Sequence, residues 1–203
     1  NNTLLGLSLV LLVASLYLIF MWVPTEANQG IVQRIFYFHV PSAWVAFVAF
    51  FLVFLGGIIY LNKRDRRWDM VAYSAAEIGV LFTTINLVTG IIWAKPIWLV
   101  WWTWDARLTS SLVLWLMYVA YLLVRAYAPP HQAPAFGAIL GILGFIDVPI
   151  VYMTIRWWRT QHPEPVIESG GLHPTMLATL LVSLAAFTVL FVLLLRIRTA
   201  LRR

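Results

Sequence analysis

Pro174-Thr-Met-Leu-Ala-Thr-Leu-Leu-Val-Ser-Leu-Ala-Ala-Phe-Thr-Val-Leu-Phe-Val-Leu-Leu-Leu195 runs for 22 residues without a charged side chain. Wound as an α-helix it is about 33 Å long, enough to cross a hydrocarbon core of about 30 Å. Five more apolar runs have the length of a span, three without a charge, Thr3–Val23, Ser42–Leu61 and Leu108–Val124, and two with a single acidic residue, Met70–Trp93 and Ala135–Ile155. The first lacks a basic leading segment and is too long for a leader's apolar core, so it is expected to be a span and not a cleaved signal peptide. The whole composition agrees: 203 residues, 62% hydrophobic, 11% charged and a mean hydropathy of +0.86. Soluble domains sit near 45–50% apolar and about 25% charged. A soluble enzyme, a disordered tail and a β-barrel of alternating polarity are excluded. The expected fold is all-α, a polytopic bundle of six transmembrane helices forming a single domain over residues 1–203.

The 14 basic residues against 8 acidic ones give a net charge of +6. Their placement reads as topology. Lys63, Arg64, Arg66, Arg67, Arg125, Arg196, Arg198, Arg202 and Arg203 fall on one side of the six runs, nine in all. Arg34, Lys95, Arg107, Arg156 and Arg159, five in all, fall on the other. The positive-inside rule then puts both termini in the cytoplasm and the longer connections outside. The excess charge is an orientation signal and calls for no nucleic-acid partner.

Eleven tryptophans are present, and eight belong to the outer face on this topology: Trp22, Trp93, Trp98, Trp101, Trp102, Trp104, Trp157 and Trp158. Interfacial belts place tryptophan at both faces, so a one-sided excess needs another cause. The densest stretch is Trp93-Ala-Lys-Pro-Ile-Trp98-Leu-Val-Trp101-Trp102-Thr-Trp104-Asp105-Ala-Arg107. Wound as a helix over 98–105, it gathers Trp98, Trp101, Trp102 and Asp105 on one side. Such an interfacial segment suits a large, flat, apolar ligand, with Lys95 and Arg107 placed to meet ligand carboxylates. Asp105 has two readings at this point, a ligand contact or the N-cap of the fourth span.

Of four histidines, His131 lies in a short inner turn, whereas His39, His162 and His173 belong to the outer face. His39 sits in Phe38-His39-Val40-Pro41-Ser42, where Pro41 and Ser42 are read as the start of the second helix. Zinc sites assemble three or four protein ligands, while haem needs one or two axial groups and an apolar slot. With no cysteine in the chain, haem fits better. Spacing does not say which two of the three outer histidines would serve.

The stretch Trp98-Leu-Val-Trp101-Trp102-Thr-Trp104-Asp105-Ala-Arg107-Leu108-Thr109 resembles the tryptophan-rich WWD signature of haem-handling proteins in cytochrome c biogenesis. Thr89-Gly90, Trp93-Ala-Lys95-Pro96, His39-Val40-Pro41-Ser42-Ala43-Trp44 and Trp157-Trp158 ahead of His162 extend the likeness. With six spans the chain is most similar to the CcmC family. That resemblance implies haem held at the outer face of the bacterial inner membrane, with His39 and His162 as axial ligands. Trp93, Lys95, Trp98, Trp101, Trp102, Trp104, Asp105 and Arg107 would form the platform. It further implies handover to the haem chaperone CcmE beside the ABC-transporter subunits CcmA and CcmB and the small protein CcmD. Without cysteines the haem would be b-type and non-covalent, and so able to leave again. His173 is outside the signature and reads as a helix-start residue.

Glu77 and Asp147 lie inside apolar runs and are functional candidates by default, although pairing with Thr, Asn or Arg would explain them equally. Thr83, Thr84, Asn86 and Thr89 read as helix–helix glue. No paired acid and base, phosphate loop or activated nucleophile supports a hydrolase, so transfer or transport of haem is preferred to turnover. The alternatives are a haem-translocating subunit of an ABC-type exporter and an electron-transferring membrane cytochrome b. The latter wants histidines inside the spans, and none of the six runs contains one.

Overall fold

A computed structural model describes residues 2–162 and 170–202. Arg203, counted above among the basic residues, and residues 163–169 of the fifth connection lie outside the described residues. Among the described residues seven α-helices follow in order: α1 (Asn2–Tyr17), α2 (Phe36–Lys63), α3 (Arg66–Trp98), α4 (Ala106–Tyr127), α5 (Ala133–Phe145), α6 (Asp147–Trp157) and α7 (Pro174–Leu201). A π-turn over Leu18–Trp22 prolongs α1, and a 3₁₀ turn over Ile31–Ile35 leads into α2. Taken with those extensions, and with α5 and α6 as one broken span, they give six helices long and apolar enough to cross a membrane. The protein is an all-α, multi-pass membrane protein.

Three boundaries differ from the sequence reading, each for a local reason. The second helix starts at Phe36, not Ser42, so His39 lies within the helix and within a span. Pro41 is the sixth residue of that helix, so the helix runs through it with the Tyr37 carbonyl lacking its usual amide donor. The objection that no span contains a histidine therefore does not stand. The third helix runs on through Pro96 to Trp98, so Trp93 and Lys95 are helical. It stops at Leu99, which adopts a left-handed conformation (φ 62°). Residues 99–105 are then non-helical, and the expected helical face of Trp98, Trp101, Trp102 and Asp105 does not form. The fifth span is broken at Ile146. Pro149 has no N–H to offer the carbonyl of Phe145, the last residue of α5, so the break falls one turn ahead of the proline.

Small residues let the central helices approach. A Cβ on Gly79 of α3 would run into the Phe50 ring of α2. Phe50 in turn stacks on Tyr118 of α4, with centroids 3.6 Å apart and planes 10° from parallel. Close backbone approach of this kind replaces the hydrophobic drive that lipid cannot supply. At the end of the bundle that carries the chain termini, Arg125 donates two hydrogen bonds to Asp69, at 2.6 and 2.9 Å. Arg198 and Arg202 close on Glu77 at 2.7 and 2.6 Å. Glu77 therefore ties α3 to α7, and its place in an apolar run is structural. Oδ2 of Asp147 is buried at the α5–α6 break, without a hydrogen-bond partner among the described residues. His39, the tryptophan-rich segment, His162 and His173 gather at the opposite end.

Candidate functional site

His39 is held by one stripe of α3. Asn86, Thr89, Gly90 and Trp93 recur at i, i+3, i+4 and i+7, so they share a helix face, and all four meet the imidazole. Thr89 Oγ1 lies 3.1 Å from His39 Nδ1. The threonine hydroxyl already donates to the carbonyl of Ile85 at 2.7 Å, which leaves its oxygen to accept. Nδ1 therefore carries the proton, and Nε2 presents a lone pair. Asn86 Nδ2 stands 3.2 Å from that Nε2 and donates to the His39 carbonyl at 3.0 Å. The second contact fixes the amide's orientation, because a carbonyl only accepts. Gly90 leaves room for the ring: a Cβ there would lie 3.1 Å from His39 Cε1. Trp93 sets its ring edge-on, with centroids 5.8 Å apart.

His162 is the histidine whose ring faces His39, at a centroid separation of 6.4 Å and a tilt of 33°. His173 is used otherwise. Its Nδ1 accepts from the Thr175 amide and lies 2.8 Å from the Thr175 hydroxyl, capping α7. His173 thus stands at the start of α7, as read from the sequence, and the two outer histidine rings that face each other are those of His39 and His162.

The tryptophan-rich connection is extended. Trp101 and Trp104 are exposed, and Trp102 meets Trp104 edge to face at 5.6 Å. The buried Nε1 of Trp102 has no partner among the described residues. Lys95 sets its ammonium 5.7 Å from the Trp101 ring centroid and donates to the Leu99 carbonyl at 3.0 Å, closing the end of α3. Trp93 donates to Gln29 Oε1 at 3.0 Å and so ties the first connection to this end of α3. Glu26 shapes that connection by accepting from the amides of Asn28 and Gln29, and these bonds hold its carboxyl below the ordinary carboxylate range.

Asp105 caps α4. Its Oδ1 accepts from the amides of Arg107 at 2.9 Å and Leu108 at 3.1 Å, while Thr103 donates to Oδ2 at 2.8 Å. Arg107 turns inward and donates to the Val151 carbonyl. Together with Thr83, Asn86 and Ser111 it lines an internal cavity of about 20 Å³, room for one water. Asn86 is the member of the site that the sequence reading placed elsewhere, as helix glue. The signal for it was the 86, 89, 90, 93 stripe on one face of α3.

The whole chain, residues 1–203, matches the family model described as CcmC, heme exporter protein C. Among curated relatives, it is 39% identical over 173 residues to heme exporter protein C of Bradyrhizobium diazoefficiens, covering 83% of this chain and 66% of that one. It is 34% identical over 172 residues to the protein of the same name from Escherichia coli K12, covering 84% and 70%. A ccmC-like mitochondrial protein of cytochrome c biosynthesis from Marchantia polymorpha is 32% identical over 186 residues, covering 91% and 79%. The match with the Bradyrhizobium protein thus spans about two thirds of that relative's length.

Proposed function

The chain belongs to the heme exporter protein C (CcmC) family, and from that premise we propose that it handles haem in cytochrome c biogenesis, holding it at the outer face of the inner membrane for delivery to CcmE. The observation that carries this reading is the pairing of His39 with His162. Metal–imidazole bonds of about 2 Å set the centres of two trans imidazoles roughly 6 to 6.5 Å apart. The observed ring separation is 6.4 Å.

Haem is cargo here, and the surroundings fit it. His39 presents the nitrogen a metal needs, with its other ring nitrogen bonded to a hydroxyl that fixes tautomer and orientation. The exposed faces of Trp101 and Trp104 and the edge of Trp93 offer a flat apolar surface. Trp102 Nε1 is an unspent donor suited to a propionate, and Lys95 brings a cation to the same edge. Arg107 faces into the bundle, so its contribution is to set the start of α4 under the platform. No thiol is present to capture haem covalently, so the cargo is b-type and exchangeable.

The nine-to-five distribution of basic residues supports cytoplasmic termini and an outward-facing site. With one axial group near the end of a helix and the other in a connection at the same end, the pair serves capture at one face and not electron relay across the bilayer. The internal cavity between α2, α3, α4 and α6 has room for one water and none for a porphyrin. Kinship with the heme exporter family supports export by a complex with the ABC-type subunits CcmA and CcmB, with CcmD as the small fourth member. Haem spectra of His39→Ala, His162→Ala and His173→Ala, purified in parallel, test the reading. The first two are expected to lose most of the Soret band and the third to keep it. Full spectra from both His39 and His162 variants would defeat the assignment.

A further inference from the structure

We propose that Asn86 is a two-position latch: its amide occupies the ligating nitrogen of His39 in the cargo-free protein and turns toward the lining of the adjoining cavity, whose wall it already forms, when haem binds. The inference rests on the reading of His39 as an axial ligand and goes beyond it. Both amide hydrogens of Asn86 are spent on one residue, the His39 carbonyl at 3.0 Å and Nε2 at 3.2 Å. Thr89 needs no displacement when iron arrives, because it bonds the other ring nitrogen. Asn86 does, because it holds the lone pair that the iron must take.

The amide has a place to go. It borders the cavity of about 20 Å³ whose polar lining includes Thr83, Arg107 and Ser111. A guanidinium there can donate to the amide oxygen and a hydroxyl can meet its N–H groups, so withdrawal leaves no buried polar group unpaired. The latch has two consequences. In the cargo-free state it holds the imidazole in the ligating tautomer and rotamer, which keeps the site ready. It also competes with iron for Nε2, which lowers haem affinity to a level from which cargo is passed on. One neutral hydrogen bond corresponds to about a 2- to 10-fold change in an equilibrium constant.

The test is equilibrium titration of the purified full-length chain with haemin, followed at the Soret band, for wild type, Asn86→Leu, Asn86→Ala and Asn86→Asp. The leucine and alanine variants remove the competitor and are expected to bind haemin about 2- to 10-fold more tightly with an unchanged Soret maximum. The aspartate carboxylate can only accept a hydrogen bond, so it favours the tautomer protonated at Nε2, which cannot ligate iron there, and the variant is expected to bind more weakly than wild type. Nitrogen-15 spectra of the cargo-free protein give a second readout: in Asn86→Ala the Nε2 resonance of His39 should move to that of an unbonded ring nitrogen. Wild-type or weaker affinity in Asn86→Ala, or an unmoved Nε2 resonance, overturns the latch. His39→Ala separates this failure from failure of the underlying reading. Loss of the Soret band there, with unchanged affinity in Asn86→Ala, sinks the latch alone, whereas retention of the band sinks the ligand assignment and the latch with it.

Discussion

Thr89 accepts the hydrogen bond that decides which nitrogen of His39 carries the proton and which presents a lone pair. Its Oγ1 is 3.1 Å from Nδ1, and its own proton is committed to the carbonyl of Ile85 one turn back on α3. The helix backbone thus dictates the imidazole tautomer through a single hydroxyl. Metal-ligating histidines depend on such partners, whose loss typically weakens a site 10- to 100-fold.

Thr89→Val keeps the shape of the side chain and removes the acceptor. Haemin affinity is expected to fall about 10-fold while the protein still purifies as a monodisperse species. Thr89→Ser restores the hydroxyl and should recover most of the loss. Equal affinity in the valine variant and wild type, by Soret titration, would show that the tautomer is set by something else.

Gly90→Ala separates stability from function. In a helix interior alanine is favoured over glycine by about 1 kcal/mol, so melting should be unchanged or slightly raised. The new Cβ would meet His39 Cε1 at 3.1 Å and Nδ1 at 3.7 Å. The ring must shift, at the expense of the Thr89 bond. Haemin affinity is expected to drop about 10-fold at constant or higher melting temperature. A variant that binds haemin as wild type does would mean that the ring has slack at this face.

Much of this architecture is written in the order of residues, and its limits are physical. Six apolar runs, with no more than one charge in any of them, specify six spans because a bilayer admits helices of that length and little else. The side of the bundle holding the tryptophans follows from counting spans. What periodicity misjudged is local. Pro41 looks like a helix start, yet the apolar Ile31, Val32, Ile35 and Phe36 ahead of it extend the span and bring His39 inside. Tryptophans at 98, 101 and 102 look like a helical face, but Leu99 ends one helix and Asp105 begins another, leaving too few residues between for a third. Asn86 was visible as a polar group in a span but not as a partner of His39, because that meeting depends on how α2 and α3 pack. That the ring facing His39 is His162 and not His173 likewise comes from tertiary placement, which no spacing encodes.

Asp69 and Arg125 form a nearly dry pair, with side chains 9% and 7% exposed and two hydrogen bonds between them. Removing one partner of a buried pair leaves the other charge uncompensated, which typically costs 3–5 kcal/mol. Asp69→Asn should therefore lower the melting temperature sharply in detergent. Because the pair lies at the end of the bundle away from His39, whatever folded protein remains should bind haemin as wild type does. An unchanged melting curve would mean that water or lipid headgroups already screen Arg125.

Asp105 tests whether the platform needs a carboxylate or only a cap. Three of its contacts are structural: the amides of Arg107 and Leu108 and the hydroxyl of Thr103. Loss of an N-cap typically costs about 0.5–2 kcal/mol, and asparagine caps as well as aspartate. Asp105→Ala is thus expected to lower the melting temperature and loosen the start of α4, which carries Arg107 and the end of the platform. Asp105→Asn should melt as wild type does, since its amide oxygen accepts the same two backbone bonds. The haemin titration of the asparagine variant then discriminates between the two roles. Wild-type affinity means that Asp105 acts on haem only by holding the loop, with Thr103, in its extended course. A loss of affinity at unchanged melting temperature means that the negative charge itself meets the cargo or its iron ligands.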